Sequence, residues 1–151
     1  NKYCGGNWAG STYMLDYVQE LGFDSVWFSP HIAQTKGPTW EYPDGYHGYW
    51  PQDLWRINDN FGSMRALQSF VDAMHAKGMW AMLDIVPNHS GFDSPENIAV
   101  FNSSDYYHDC APCQPGCGYS NQNPMQIEHC RLSNLPDLDQ RNQYVTTQLL
   151  D

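Results

Sequence analysis

The sequence predicts an α/β fold with parallel strands, either a closed barrel or an open doubly wound sheet. Two observations carry this: helical and strand-like segments alternate along the chain, and both strand-like segments are almost unbroken apolar runs. A third narrows the choice, since no glycine-rich phosphate loop follows either strand, against the nucleotide-binding version.

The elements follow in chain order. From Ser11 to Leu21, Met14, Leu15, Val18 and Leu21 repeat at helical spacing, and Gly22 stops the helix. SVWFSP, residues 25 to 30, is β-rich and closed by proline, so it reads as a buried strand. Ser63 is placed to cap a second helix whose buried face is Leu67, Phe70, Val71 and Met74, ending at Gly78. MWAMLDIV, residues 79 to 86, is the second buried strand, and a third helix begins within 139 to 150. Both loops that follow the strands are long, and in a barrel such loops carry the active site. The stretch from about 90 to 135 is long enough to be a small inserted domain.

Composition narrows the partners. The 151 residues carry 7 Lys plus Arg against 17 Asp plus Glu, a net charge of −10 that repels nucleic-acid phosphates and anionic membrane faces. No run approaches the roughly 18 apolar residues of a membrane span. The acidic surplus suits a cation such as Ca²⁺ or a neutral ligand, and 6 Trp, 10 Tyr and 6 Phe offer the ring faces on which sugars stack. The same rings also serve a core. An opening on Asn1 and a close within a helical pattern are read as a fragment of a longer chain.

Cysteines 110, 113, 117 and 130 crowd one segment while Cys4 stands apart, which favours disulfides and an extracellular compartment. Zinc ligation is the rival for the C-x₂-C-x₃-C spacing, and the Pro- and Gly-rich context weighs against it. The triplet Asn102-Ser103-Ser104 is a formal glycosylation acceptor.

Two stretches carry chemistry. DGYHGYW, residues 44 to 50, with Trp40 and Tyr42 just before it, gathers His47, Tyr49 and Trp50 into a ring platform with hydrogen-bonding tips; the alternative is a loop packed on the barrel edge. In MLDIVPNHSG, residues 82 to 91, Asp84 sits in an apolar strand and requires a partner such as an arginine. Asn88 offers the hard oxygen that Ca²⁺ accepts, and His89 is placed to face the cleft and donate to a substrate hydroxyl. A satisfied polar cap is the plainer reading of these three.

DIVPNH, DGYHGYW and LPDLD, in that order, resemble the sequence signatures of the α-amylase family of glycoside hydrolases, and NKYCGGNWAG is similar to the start of the secreted fungal members. The likeness runs over the whole chain. It implies a (β/α)₈ TIM barrel, with 25 to 30 and 79 to 86 as its second and third strands. Residues 1–89 would be the N-terminal part of the barrel, 90–137 a calcium-binding, disulfide-containing insert, and 138–151 the return to the barrel.

The resemblance also implies roles. Tyr49 would stack beneath the sugar and His89 bond its hydroxyl, with His47 and Trp50 lining the same subsites and Asp84 as polar scaffold. Asn88, Glu128 and Asp137 would bind calcium and tie the insert to the barrel. Cys110 with Cys130 and Cys113 with Cys117 are the favoured disulfides of three pairings. Retaining glycosidases need two carboxyl groups roughly 5 Å apart. In the family these come from later strands, so none is assigned here, and the 151 residues alone are expected to be inactive. The whole protein is expected to be a secreted, monomeric enzyme acting within starch chains. A glucan transferase and a non-catalytic glucan-binding protein are the alternatives.

Overall fold

The computed structural model describes residues 3 to 37 and 44 to 151, so Trp40 and Tyr42 of the aromatic loop lie outside the described residues. Two short helices, α1 (Trp8–Tyr13) and α2 (Leu15–Glu20), replace the single helix expected over 11 to 21. Asn7 starts α1 by accepting from Gly10 N at 2.8 Å, which brings Trp8 into the core. Hydroxyls of Ser11 and Thr12 bond back to the carbonyls of Asn7 and Trp8, a pattern that bends helices, and the chain breaks at Met14. Leu15 is buried, whereas Met14 and Leu21 of the expected apolar face are exposed.

Strand β1 (Ser25–Phe28) runs parallel to the later strand β4 (Trp80–Leu83), with Ser25 opposite Trp80 and Phe28 opposite Leu83. The expected strands ended later, yet Asp84 N still donates to Phe28 O at 3.1 Å. Between them, the first long loop holds an antiparallel pair the sequence did not disclose, β2 (Ile32–Gln34) and β3 (Pro51–Ile57). Helix α3 (Met64–Ala76) is capped by Ser63, whose hydroxyl accepts from Ala66 N, and it buries Leu67, Phe70 and Met74 as the spacing requires.

A first core joins Trp8, Leu15, Leu67, Phe70, Met74 and Met79, with Val26, Phe28 and Ala81 packed onto it from the sheet. The other face of β1 and β4 is open, with Trp27, Trp80 and Met82 between 59% and 74% exposed. Among the described residues the helical layer covers one face, and they contain no further parallel strand to close over the other. Unbroken apolar character supplied side chains to both.

Beyond Leu83 the chain runs mostly in turns and short 3₁₀ segments to α4 (Pro124–His129) and α5 (Gln143–Leu150). A second core of Ile98, Phe101, Leu138 and Val145 gathers this part. The disulfides join Cys110 to Cys117 and Cys113 to Cys130, with Cα separations of 5.1 and 5.7 Å, so both expected pairings are corrected. Buried Gln126 sets this arrangement. It donates to Pro112 O at 2.6 Å and accepts from Ser120 N at 3.0 Å, drawing the loop onto α4 so that Cys113 meets Cys130 at the helix end. Cys110 is then left beside Cys117; Cys4 joins neither bridge.

Candidate active site at the strand ends

The loop over 44 to 50 is pressed against the chain leaving β1. Gly48 has φ +91 and lies where a Cβ would meet Pro30 at 2.7 Å, so only glycine fits there. Trp50 N donates to the Gln34 side chain at 2.6 Å, and Thr35 N donates to Trp50 O at 2.9 Å. These bonds fix three rings. His47 stacks on Tyr49 with planes 14° apart and centroids 5.8 Å apart, while Trp50 meets His47 edge-on at 4.7 Å and Phe92 at 4.9 Å.

Tyr49 is 42% exposed, and its phenol donates to Asp84 Oδ2 at 2.6 Å. Among the described residues, the donor to Asp84 is thus a tyrosine. Asp84 lies just past the end of β4 and is half-buried, so a neutral donor is enough to hold its carboxylate. By accepting this bond, Asp84 pushes the Tyr49 phenol above its ordinary pKa. A groove of about 250 Å³ opens on the other side of Asp84, lined by Pro30, His31, Trp55, Ile85 and Pro87.

His89 is buried at 8% exposure, and its Nε2 donates to Tyr49 O at 3.0 Å. Its Nδ1 accepts from Asn88 Nδ2 at 3.3 Å, a pattern that requires the neutral ring, and burial lowers its pKa accordingly. His89 therefore braces the backbone beneath the Tyr49 ring. His47 is likewise held neutral: burial lowers its pKa, and its Nδ1 accepts from Tyr49 N at 3.0 Å.

Asn88 reaches Asp137 as well, its Nδ2 donating to Oδ1 at 3.0 Å. Backbone bonds join the same two segments, Ser90 N to Pro136 O and Leu138 N to Asn88 O. Asp137 is 5% exposed, and burial pushes its carboxyl up against the opposing help of His108 and Asn88. His108 was not singled out in the sequence. Its Nδ1 bonds Asp137 Oδ2 at 2.8 Å and its Nε2 lies 3.2 Å from Asp139, so one buried imidazole ties two carboxylates. Arg141 grips Asp139 with two bonds of 2.8 and 2.9 Å and holds its pKa at about 2. A contact across 29 residues has no local signature.

Calcium fits two of the three residues expected to bind it. Asn88 and Asp137 converge, both can present oxygen, and the buried Asp137 carboxylate is the kind of charge a dication would offset. Glu128 is exposed on α4, and among the described residues no cluster of three or more His, Cys, Asp or Glu side chains is arranged to hold a metal.

Parallel β/α elements with rings and carboxylates on the loops after the strands are the layout of a β/α-barrel catalytic domain. The chain belongs to the α-amylase family, whose catalytic-domain model matches residues 1–151. It is 41% identical over 150 residues to α-amylase mde5 of Schizosaccharomyces pombe, covering 93% of this chain and 28% of that protein. Among solved structures, an α-amylase from Malbranchea cinnamomea is similar with a TM-score of 0.86 at 39% identity, covering 97% of this chain and 32% of that one. The α-amylase of Geobacillus thermoleovorans, solved with acarbose, gives 0.82 at 31% identity, covering 99% and 31%. The chain thus spans about a third or less of the length of these relatives. No helix among the described residues is long and apolar enough to cross a membrane.

Proposed function

We propose that the protein carrying this chain is a secreted, monomeric, calcium-dependent enzyme that hydrolyses internal α-1,4-glucosidic bonds of starch-type glucans with retention of configuration. In this reading, residues 1–89 belong to the barrel, 90–137 form the insert and 138–151 return to the barrel. The observation that carries it is the half-exposed Tyr49 ring, fixed at the strand ends by Asp84 on one side and His47 on the other. A planar face locked in this way suits a pyranose, because no rotamer freedom is lost when the sugar stacks. The acarbose held by the Geobacillus relative is a sugar-like ligand of the same class.

The roles of the chain's own residues follow. Tyr49 stacks beneath the sugar, His47 holds that ring and is itself met edge-on by Trp50, His47 and Trp50 line the subsite, and Asp84 anchors the phenol. His89 offers its imidazole to a sugar hydroxyl by exchanging the Tyr49 carbonyl for it. Calcium, held by Asn88 and Asp137, would neutralise the buried carboxylate and tie the two loops together. The bond-breaking carboxyl pair is assigned to strands outside these residues.

The test is product analysis on soluble starch with the full-length protein. Short oligosaccharides of retained anomeric form support hydrolysis; longer chains would show transfer instead, and no change would leave only binding. Calcium is tested by thermal melting: a chelator should lower Tm in the native protein and leave Asp137→Asn unmoved. A native Tm insensitive to chelator would refute the metal.

A further inference from the structure

The sequence holds two Asn-x-Ser triplets, Asn88-His89-Ser90 and Asn102-Ser103-Ser104; both asparagines are exposed, but the fold engages the Asn88 amide and buries its serine. We propose that Asn102 carries an N-linked oligosaccharide and that Asn88 does not. The inference rests on the secretion reading above, because the modifying enzyme works in the lumen of the secretory pathway.

Asn102 is exposed, and the chain beneath it is pinned on both sides. Phe101 sits in the second core at 2% exposure, and Ser103 Oγ accepts from Asp105 N to cap the short 3₁₀ turn Ser104–Tyr106. Ser104, whose hydroxyl completes the triplet, is also exposed. A glycan here leaves the surface without displacing a core side chain.

At the other triplet, the carboxamide nitrogen that would bear the glycan donates to Asp137 Oδ1 and to His89 Nδ1. Nitrogen alkylated by a sugar keeps one hydrogen and cannot satisfy both acceptors. Ser90 is 1% exposed, so the acceptor serine is packed inside. A glycan on Asn88 is incompatible with the fold that joins residues 88 and 137.

The reaction balances with a lipid-linked pyrophosphoryl oligosaccharide as donor. The Asn102 amide nitrogen attacks the anomeric carbon, the C–N bond forms as the C–O bond to pyrophosphate breaks, the amide gives up one proton, and lipid pyrophosphate leaves.

The experiment expresses the full-length protein in yeast behind a supplied secretory leader, then releases glycans with an amidase in heavy-oxygen water, which turns each glycosylated asparagine into labelled aspartate, and maps the label to its position. Label at Asn102 and none at Asn88 is the expected result, with one mobility step lost in both Asn102→Gln and Ser104→Ala and kept in Ser104→Thr. Unlabelled Asn102, or labelled Asn88 in the secreted protein, would overturn the assignment. A parallel expression with the native gene start tests secretion separately: a product confined to the cytosol refutes that reading, while the supplied-leader arm alone decides Asn102.

Discussion

The part of the molecule up to Leu83 and the part after it are held together by different means. In the first, Trp8, Phe28 and Phe70 meet with ring centroids 5.6 to 6.0 Å apart, and α3 presses Leu67 and Met74 into the same core. In the second, two disulfides, the bonds around Gln126 and the His108 bridge reinforce a smaller core of Ile98, Phe101, Leu138 and Val145 where regular structure is sparse. Burial of apolar area tolerates repacking, whereas a bonded loop depends on particular atoms. The site forms at the join, where Asn88 of one part meets Asp137 of the other.

Breaking each part should therefore leave different traces in the full-length protein. Phe70→Ala removes a ring that is 2% exposed from the first core, and we expect a loss of about 3–5 kcal/mol in urea melts, with exchange of β1 and β4 amides accelerated. A loss below about 1 kcal/mol would show that the helical layer is not the support described. Replacing Cys113 and Cys130 by Ser should cost about 2–4 kcal/mol, with faster amide exchange confined to residues 110 to 130. Exchange rising equally in β1 would erase the distinction between the two parts.

A finer contrast concerns pH. His47 has a pKa lowered by burial, so the fold favours its neutral form. Its stabilising contribution is complete above the unfolded value of about 6.5 and is lost as pH falls through that value toward the lowered one. Since His47 Nδ1 accepts from Tyr49 N, protonation should loosen the ring platform and weaken oligosaccharide binding as pH falls through the lowered folded-state value, while His47→Gln flattens that dependence. A His47→Gln variant whose affinity falls with acid as steeply as the wild type's would contradict this.

The same division governs what could be read in advance. Helix α3 was legible because Ser63, Leu67, Phe70 and Met74 combine a cap with one periodic face. The parallel pairing was legible in the two apolar runs, because strands of that kind need cover and pair readily. PQDLWRI hid β3, because proline and scattered polar residues weaken a period of two. The disulfide pairing turned on Gln126, and the polar centre on His108, both through contacts between loops distant in sequence. Tyr49, Asp84, Asn88 and His89 stood out individually; that Tyr49 donates to Asp84 required the fold.

The most direct test of the central claim, that the Tyr49 ring is a sugar platform held at the strand ends, is calorimetric titration of the full-length protein with acarbose. Tyr49→Ala is predicted to weaken binding at least tenfold, about 1.4 kcal/mol, with only a small fall in Tm, because Asp84 loses its donor while the ring itself is partly exposed and sits outside both cores. Equal affinity for the variant and the native protein would contradict the account.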